Sequence, residues 1–154
     1  MSSCLIFVDL WNELLEKDKS FPHTFEEYQN FIKYLNVVCT IVEEKGLDTF
    51  FISSNRLISE SINTKNKVII KNSSLLPETY ENYFFCGLHY DDCVHRQAKD
   101  FSYLYPAKTV GICLNLTLHT PESFLTLNYF DRGITNYFWN RHGFYPIDIH
   151  PVRG

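Results

Sequence analysis

The chain of 154 residues has almost no alanine, only Ala98 and Ala107. No apolar run approaches the roughly 18 residues that a membrane-spanning helix needs. The N-terminal stretch has no basic segment, and Asp9 interrupts its short apolar run, so a secretory signal is not expected and a cytoplasmic location is. There is no internal repeat, low-complexity tract or linker. A glycine-rich phosphate loop, a G-x-S-x-G elbow and a Cys-x-x-Cys pair are all missing. Those absences remove the signatures of phosphate-cradling, serine-hydrolase and dithiol redox chemistry. Positive charge is also in short supply. Lys and Arg number 14 against 18 Asp and Glu, a net charge of −4. No general electrostatic grip on nucleic acid or an anionic membrane follows from that, and neither is expected as a partner.

What is present reads as globular. The chain is 45% hydrophobic and 21% charged, and its length suits a single domain over residues 1–154. Aromatic residues make up 16%, with 13 Phe and 10 Tyr. Five cysteines, Cys4, Cys39, Cys86, Cys93 and Cys113, are an odd number. All but Cys93 sit inside apolar runs, as small buried hydrophobes do. Without a secretory signal they read as reduced thiols.

Apolar strand-like runs alternate with amphipathic stretches. Residues 4–10 (CLIFVDL) form a continuous apolar run ended by an acid, which suits a strand buried on both faces. Residues 24–45 carry apolar side chains at helical spacing, with Thr24 as cap, Glu26 and Glu27 in the first turn and Gly46 past the end. Further strands are expected at 48–54, 67–70, 83–86 and within 109–118, with a short last one at 145–149. Helices are expected at 92–105 and over 121–141, the latter with a break at Gly133. The alternation predicts an α/β, three-layer α/β/α fold with a doubly wound, mostly parallel sheet of five to six strands. In such sheets ligands sit beyond the carboxyl ends of the strands. The residues that matter are then Asp9, Ser53 to Asn55, Lys71, and Gly87 to Cys93.

Three of these ends offer an acid, an ammonium and a thiol: Asp9, Lys71 and Cys93. A thiolate is the nucleophile, and a nearby ammonium or helix N-terminus favours it over the thiol. Asp9 can take the thiol proton and pass it to a leaving group, while backbone amides near Cys93 receive an oxyanion. The bland alternative is a buried cysteine and two solvated charges.

The order and contexts of the three residues resemble the isochorismatase-like cysteine hydrolases. Residues 7–14 (FVDLWNEL) are similar to that family's first-strand pattern, roughly V-D-x-Q-N-D-F. Residues 68–71 (VIIK) resemble the segment that carries its lysine, and 87–94 (GLHYDDCV) its nucleophile loop, roughly G-V-x-T-D-x-C-V. The resemblance covers most of residues 4–118 and fades afterwards. It implies a small-molecule hydrolase that cleaves a C–N bond of an amide through a thioester on Cys93, as in the nicotinamidases and the carbamoylsarcosine and ureidoacrylate hydrolases. Asp9 would be the acid/base and Lys71 the thiolate's partner. A cis peptide would join Leu88 and His89, and the amides of His89 and Cys93 would form the oxyanion hole. One branch of the family cleaves a vinyl ether, so the family alone does not name the bond.

Departures from the pattern shape the expected pocket. Trp11 stands where the family has glutamine and can stack on a planar substrate. His89 and Tyr90 are bulkier than the usual loop residues, and Asn55 lies at the rim. Between strands two and three, residues 55–66 contain no histidine or aspartate, so the metal site that nicotinamidases build there is not expected, and no cofactor is. His89, Asp91, Asp92, Cys93 and His95 are a dense run of metal-capable side chains, but zinc needs a second ligand pair, and His119, His142 and His150 are scattered. Asp91 reads as a helix cap and His95 as an exposed helix residue. The aromatic segment 136–145 (NYFWNRHGFY) reads as core or homodimer surface, or alternatively as a stacking lid. A small-molecule substrate and a homo-oligomer are the expected partners. The rival to an active enzyme is a degenerate family member that binds or sequesters a small metabolite or signalling nucleotide, as a compact phage-encoded protein would.

Overall fold

The computed structural model describes residues 2–10, 23–53, 62, 64, 67–89, 93–119 and 134–147. Seven strands form one sheet in the order β3-β2-β1-β4-β5-β6-β7. They are β1 (Ser3–Val8), β2 (Asp48–Ile52), β3 (Val68–Ile70), β4 (Asn82–Gly87), β5 (Thr109–Thr117), β6 (Ile134–Asn140) and β7 (Gly143–Ile147). Every pairing from β3 across to β6 is parallel, and only β7 runs antiparallel. The sheet is thus α/β and mostly parallel, with one or two strands more than the five to six expected.

The strands form because their apolar runs bury both faces. Leu5, Phe7, Phe51, Phe84, Cys86 and Cys113 turn toward helix α1 (Phe25–Glu44). Their alternates Cys4, Ile6, Val8, Ile52, Phe85 and Ile112 turn toward helix α2 (His95–Leu104). That period-2 split of a continuous apolar run produces the three layers. Helix α1 buries Tyr28, Ile32, Leu35, Val38, Cys39 and Val42 along one stripe. Thr24 caps it, its Oγ1 accepting from the Glu27 N–H at 3.1 Å. Gly46, at φ 78°, ends it and lets the Leu47 N–H reach back to the Val42 carbonyl at 2.9 Å. A short 3-10 turn (Ser73–Leu75) follows β3 and is tied to α2, the Ser73 N–H donating to Gln97 Oε1 at 2.9 Å.

Two expectations need correction. Of the helix expected over 121–141, the part described, Ile134–Asn140, is strand β6; residues 120–133 lie outside the described residues. Alternation decides the matter: Tyr137 and Trp139 pack on the α1 side of the sheet, while Phe138 between them stays 46% exposed. The aromatic segment 136–145 is therefore a hairpin. Phe144 stacks on Phe84 with centroids 3.9 Å apart, and Tyr137 meets the same ring edge-on. Its inner face is core, and its outer face carries Phe138 opposite Tyr145. The second correction is His95, which is half-buried at the head of α2 rather than exposed. No helix among the described residues is long and apolar enough to cross a membrane.

Candidate functional site

Register aligns the carboxyl ends of the central strands. Val8 pairs with both Ile52 and Gly87, and Ile52 pairs with Ile70. The next residues, Asp9, Ser53, Lys71 and Leu88, continue that row. Backbone bonds carry the ladder one step further: Asp9 N–H to Ile52 O at 3.0 Å, Ser53 N–H to Ile70 O at 3.0 Å and Leu88 N–H to Val8 O at 2.9 Å. Asp9 and Lys71 lie two strands apart, roughly 10 Å between backbones at ordinary strand spacing.

Asp9 leaves β1 at φ 56°, the left-handed region, which aspartate tolerates better than most residues. It is only 8% exposed. Its carboxylate is felt on the α1 side. Burial pushes the Tyr28 phenol up, and the charge of Asp9 adds to that push. Lys71 is exposed. Gly87 ends β4 at φ 115°, where a Cβ would lie 2.3 Å from the Val8 carbonyl oxygen. Only glycine lets β4 pass β1 this closely and turn into the loop.

The bond from Leu88 to His89 is cis. The chain then enters α2 through a wide turn in which the Val94 N–H donates to the His89 carbonyl at 3.2 Å, five residues back. Such π-type turns recur at functional sites. Cys93 sits in this turn, half-buried, while Cys4, Cys39, Cys86 and Cys113 are all buried. Asp9, His89 and Cys93 thus follow the adjoining strands β1 and β4, and Lys71 lies at the same carboxyl edge of the sheet, beyond β2. Trp11, Asn55, Tyr90, Asp91, Asp92 and His150 lie outside the described residues. Among the described residues no three His, Cys, Asp or Glu side chains gather as a metal site would require.

One contact had no signal in the sequence. His23 Nε2 lies 3.1 Å from His89 Nε2, with the rings stacked at a centroid distance of 5.1 Å. The two residues are 66 positions apart, and neither neighbourhood has a pattern that announces the pairing. A separate cavity of about 550 Å³, lined by Glu43, Asp48, Thr49, Lys67 and Val68 among others, opens at the amino-terminal ends of β2 and β3. It is on the opposite edge of the sheet from Asp9 and Cys93.

No protein-family model matches the sequence, and no curated protein matches it either. Solved structures do. The chain is similar to N-carbamoylsarcosine amidase from Thermoplasma acidophilum, with 14% identity, a TM-score of 0.62, and coverage of 88% of this chain and 95% of that one. An isochorismatase family protein superposes with a TM-score of 0.62 at 10% identity, over 87% of this chain and 96% of the other. A candidate Mar1 ribonuclease from Leishmania major gives 0.63 at 12% identity, over 88% of this chain and 77% of the other. The fold is therefore isochorismatase-like.

Proposed function

We propose that the chain is a hydrolase that cleaves a C–N bond of a small, planar amide, with Cys93 as nucleophile. The observation that carries this reading is the strand-end row, in which Asp9 follows Val8 of β1, Lys71 follows Ile70 of β3 on the far side of β2, and Leu88 leads from β4, beside β1, into the Cys93 turn. The isochorismatase-like fold supports it.

In this scheme Asp9 accepts the Cys93 thiol proton as sulfur attacks the carbonyl carbon. The oxyanion is received by the N–H groups of His89 and Cys93. The C–N bond then breaks, and the leaving nitrogen takes the proton back from Asp9. Water attacks the thioester carbon, Asp9 takes its proton, and the C–S bond breaks to release the acid. The departing sulfur regains a proton from Asp9. Lys71 stabilises the thiolate character that the sulfur carries as it loses its proton to attack and again as it departs. This reading assigns substrate binding to Trp11, Asn55, His89 and Tyr90.

The test is ammonia release from N-carbamoylsarcosine and a panel of small planar primary amides. Cys93→Ala and Asp9→Asn should each lower kcat by about 10³-fold or more, following the cost of removing one member of a nucleophile–base unit. Lys71→Met should lower it less. Full turnover by a folded Cys93→Ala variant would overturn the scheme. Intact ligand released from the denatured wild-type protein, with no turnover of any amide, would support the binding-only alternative.

A further inference from the structure

The contact between His23 and His89 has a direction. His23 precedes the Thr24 cap of α1, and its side chain is 8% exposed. Its Nδ1 lies 3.4 Å from Glu27 Oε2, one helical turn on. Its Nε2 faces His89 Nε2 at 3.1 Å. Two imidazole nitrogens this close need one proton between them. Two N–H groups would collide, and two lone pairs would repel. The Glu27 carboxylate favours a proton on His23 Nδ1, which leaves His23 Nε2 with its lone pair. His89 Nε2–H is then the donor. The result is an ordered chain, carboxylate to imidazole to imidazole, that ends on a residue of the nucleophile loop. His89 is also held through its backbone, since its carbonyl accepts from the Val94 N–H next to Cys93.

We propose that His23 and Glu27 are positioning residues for His89, holding its imidazole in one tautomer and one orientation beside the Cys93 turn. The proposal rests on the hydrolase reading above for its catalytic consequence, but not for its structural content. No net proton transfer along the chain is required. The proton stays in the Nε2–H to Nε2 bond, and only its ordering matters. Other ionisable groups stand on the elements around the pair: Glu26 on α1, Asp9 at the end of β1, and Cys93 and His95 at the head of α2. A second proton on the pair would set N–H against N–H and part the rings.

Long-range ¹H–¹⁵N NMR of the full ¹⁵N-labelled chain between pH 5 and 9 reads the tautomers directly. The expected result is His23 as the Nδ1–H form and His89 as the Nε2–H form. Glu27→Gln should weaken the His23 preference. Rapidly averaging tautomers in both rings would overturn the proposal. This measurement needs no substrate, so it fails or succeeds apart from the hydrolase reading. With an amide that turns over, His23→Leu should lower kcat about 10–100-fold, the usual cost of losing an outer-shell partner, and change KM by less than about threefold. His23→Gln, whose Oε1 can still accept from His89, should restore most of that kcat. Equal kcat values for wild type, His23→Leu and Glu27→Gln would sink the positioning role. If His23→Leu fails to fold, Glu27→Gln at its exposed site makes the same comparison.

Discussion

Cys93 differs from the other thiols by burial. Burial pushes the Cys39 thiol up to about 12, with the nearby Glu43 adding to the push and Lys67 opposing it. Cys4 is raised by burial and then by Asp48, and Cys86 and Cys113 are raised well above their ordinary value by burial. Those four stay protonated and shielded at neutral pH. Iodoacetamide at pH 7.5 should therefore add one label per chain, on Cys93, and intact mass spectrometry with peptide mapping reads it. Labelling should slow by at least 100-fold in Cys93→Ser. Two adducts forming at equal rates would contradict the packing described. This distinction was legible in the sequence, because the four buried thiols sit in apolar runs and Cys93 in a polar one. Asp9 and Lys71 were legible as the polar residues that end strands. His23 was not, since a stacked, nearly buried histidine and a solvated one look the same when the partner is 66 residues away.

At the scale of elements, periodicity marks the strands and helices that carry their own apolar pattern and misses β6, whose order comes from its neighbours. Strand β6 (ITNYFWN) is short of hydrophobic alternation in its sequence, with three aromatic residues in a row, which a helix accommodates as readily as a strand. The hairpin signal was present in residues 140–143 (NRHG): Asn140 Oδ1 accepts from the His142 N–H at 2.7 Å, and Gly143 takes φ 145°. The tie that docks β6 is not visible in sequence. In β5 the pairing with β4 jumps from Phe85–Ile112 to Gly87–Thr117, an irregularity that pushes out the chain between. Asn115 lies there and ties β5 to β6 beyond Cys113–Tyr137, the last pair of their ladder. Its Nδ2 donates to the Trp139 carbonyl at 2.7 Å, and its Oδ1 accepts from the Trp139 N–H at 2.8 Å. Asn115→Leu leaves both backbone groups unpaired, at a cost of about 2–4 kcal/mol. The expected outcome is a lowered Tm and faster hydrogen exchange at the Trp139 amide. An unchanged exchange rate would refute the tie. Gly87→Ala should be harsher, since its Cβ meets the Val8 backbone in a conformation that alanine avoids. A loss above about 3 kcal/mol is expected in denaturant unfolding, and a variant as stable as wild type would show that β1 and β4 do not approach as described.

For the molecule as a whole, the two cores place four thiols where they cannot ionise without unfolding. Cys39, Cys86 and Cys113 lie with the α1 core, and Cys4 lies on the α2 side. An unfolded chain ionises its cysteines near pH 8.5. The folded chain keeps these four protonated well above that, so it binds more protons than the unfolded chain from about pH 8.5 upward. The sign follows from linkage: stability is complete below pH 8.5 and falls as pH rises, by about 1.4 kcal/mol per pH unit for each thiol. By pH 10 the loss is about 2 kcal/mol per thiol, roughly 8 for the four together. That is comparable with the whole stability of an ordinary domain, about 5–15 kcal/mol. The buried phenol of Tyr28 acts in the same direction once pH passes 10. The chain should therefore lose much of its stability in mild alkali. Tm measured by circular dichroism under reducing conditions should be level from pH 7 to 8.5 and then fall with increasing steepness. Cys39→Ala lowers the starting stability by opening a small cavity, yet it should reduce the slope above pH 8.5 by about a quarter, because one of four equivalent proton sites is gone. A Tm that stays level to pH 10.5, or a slope unchanged in Cys39→Ala, would mean that these thiols ionise in the folded state and that water reaches the core.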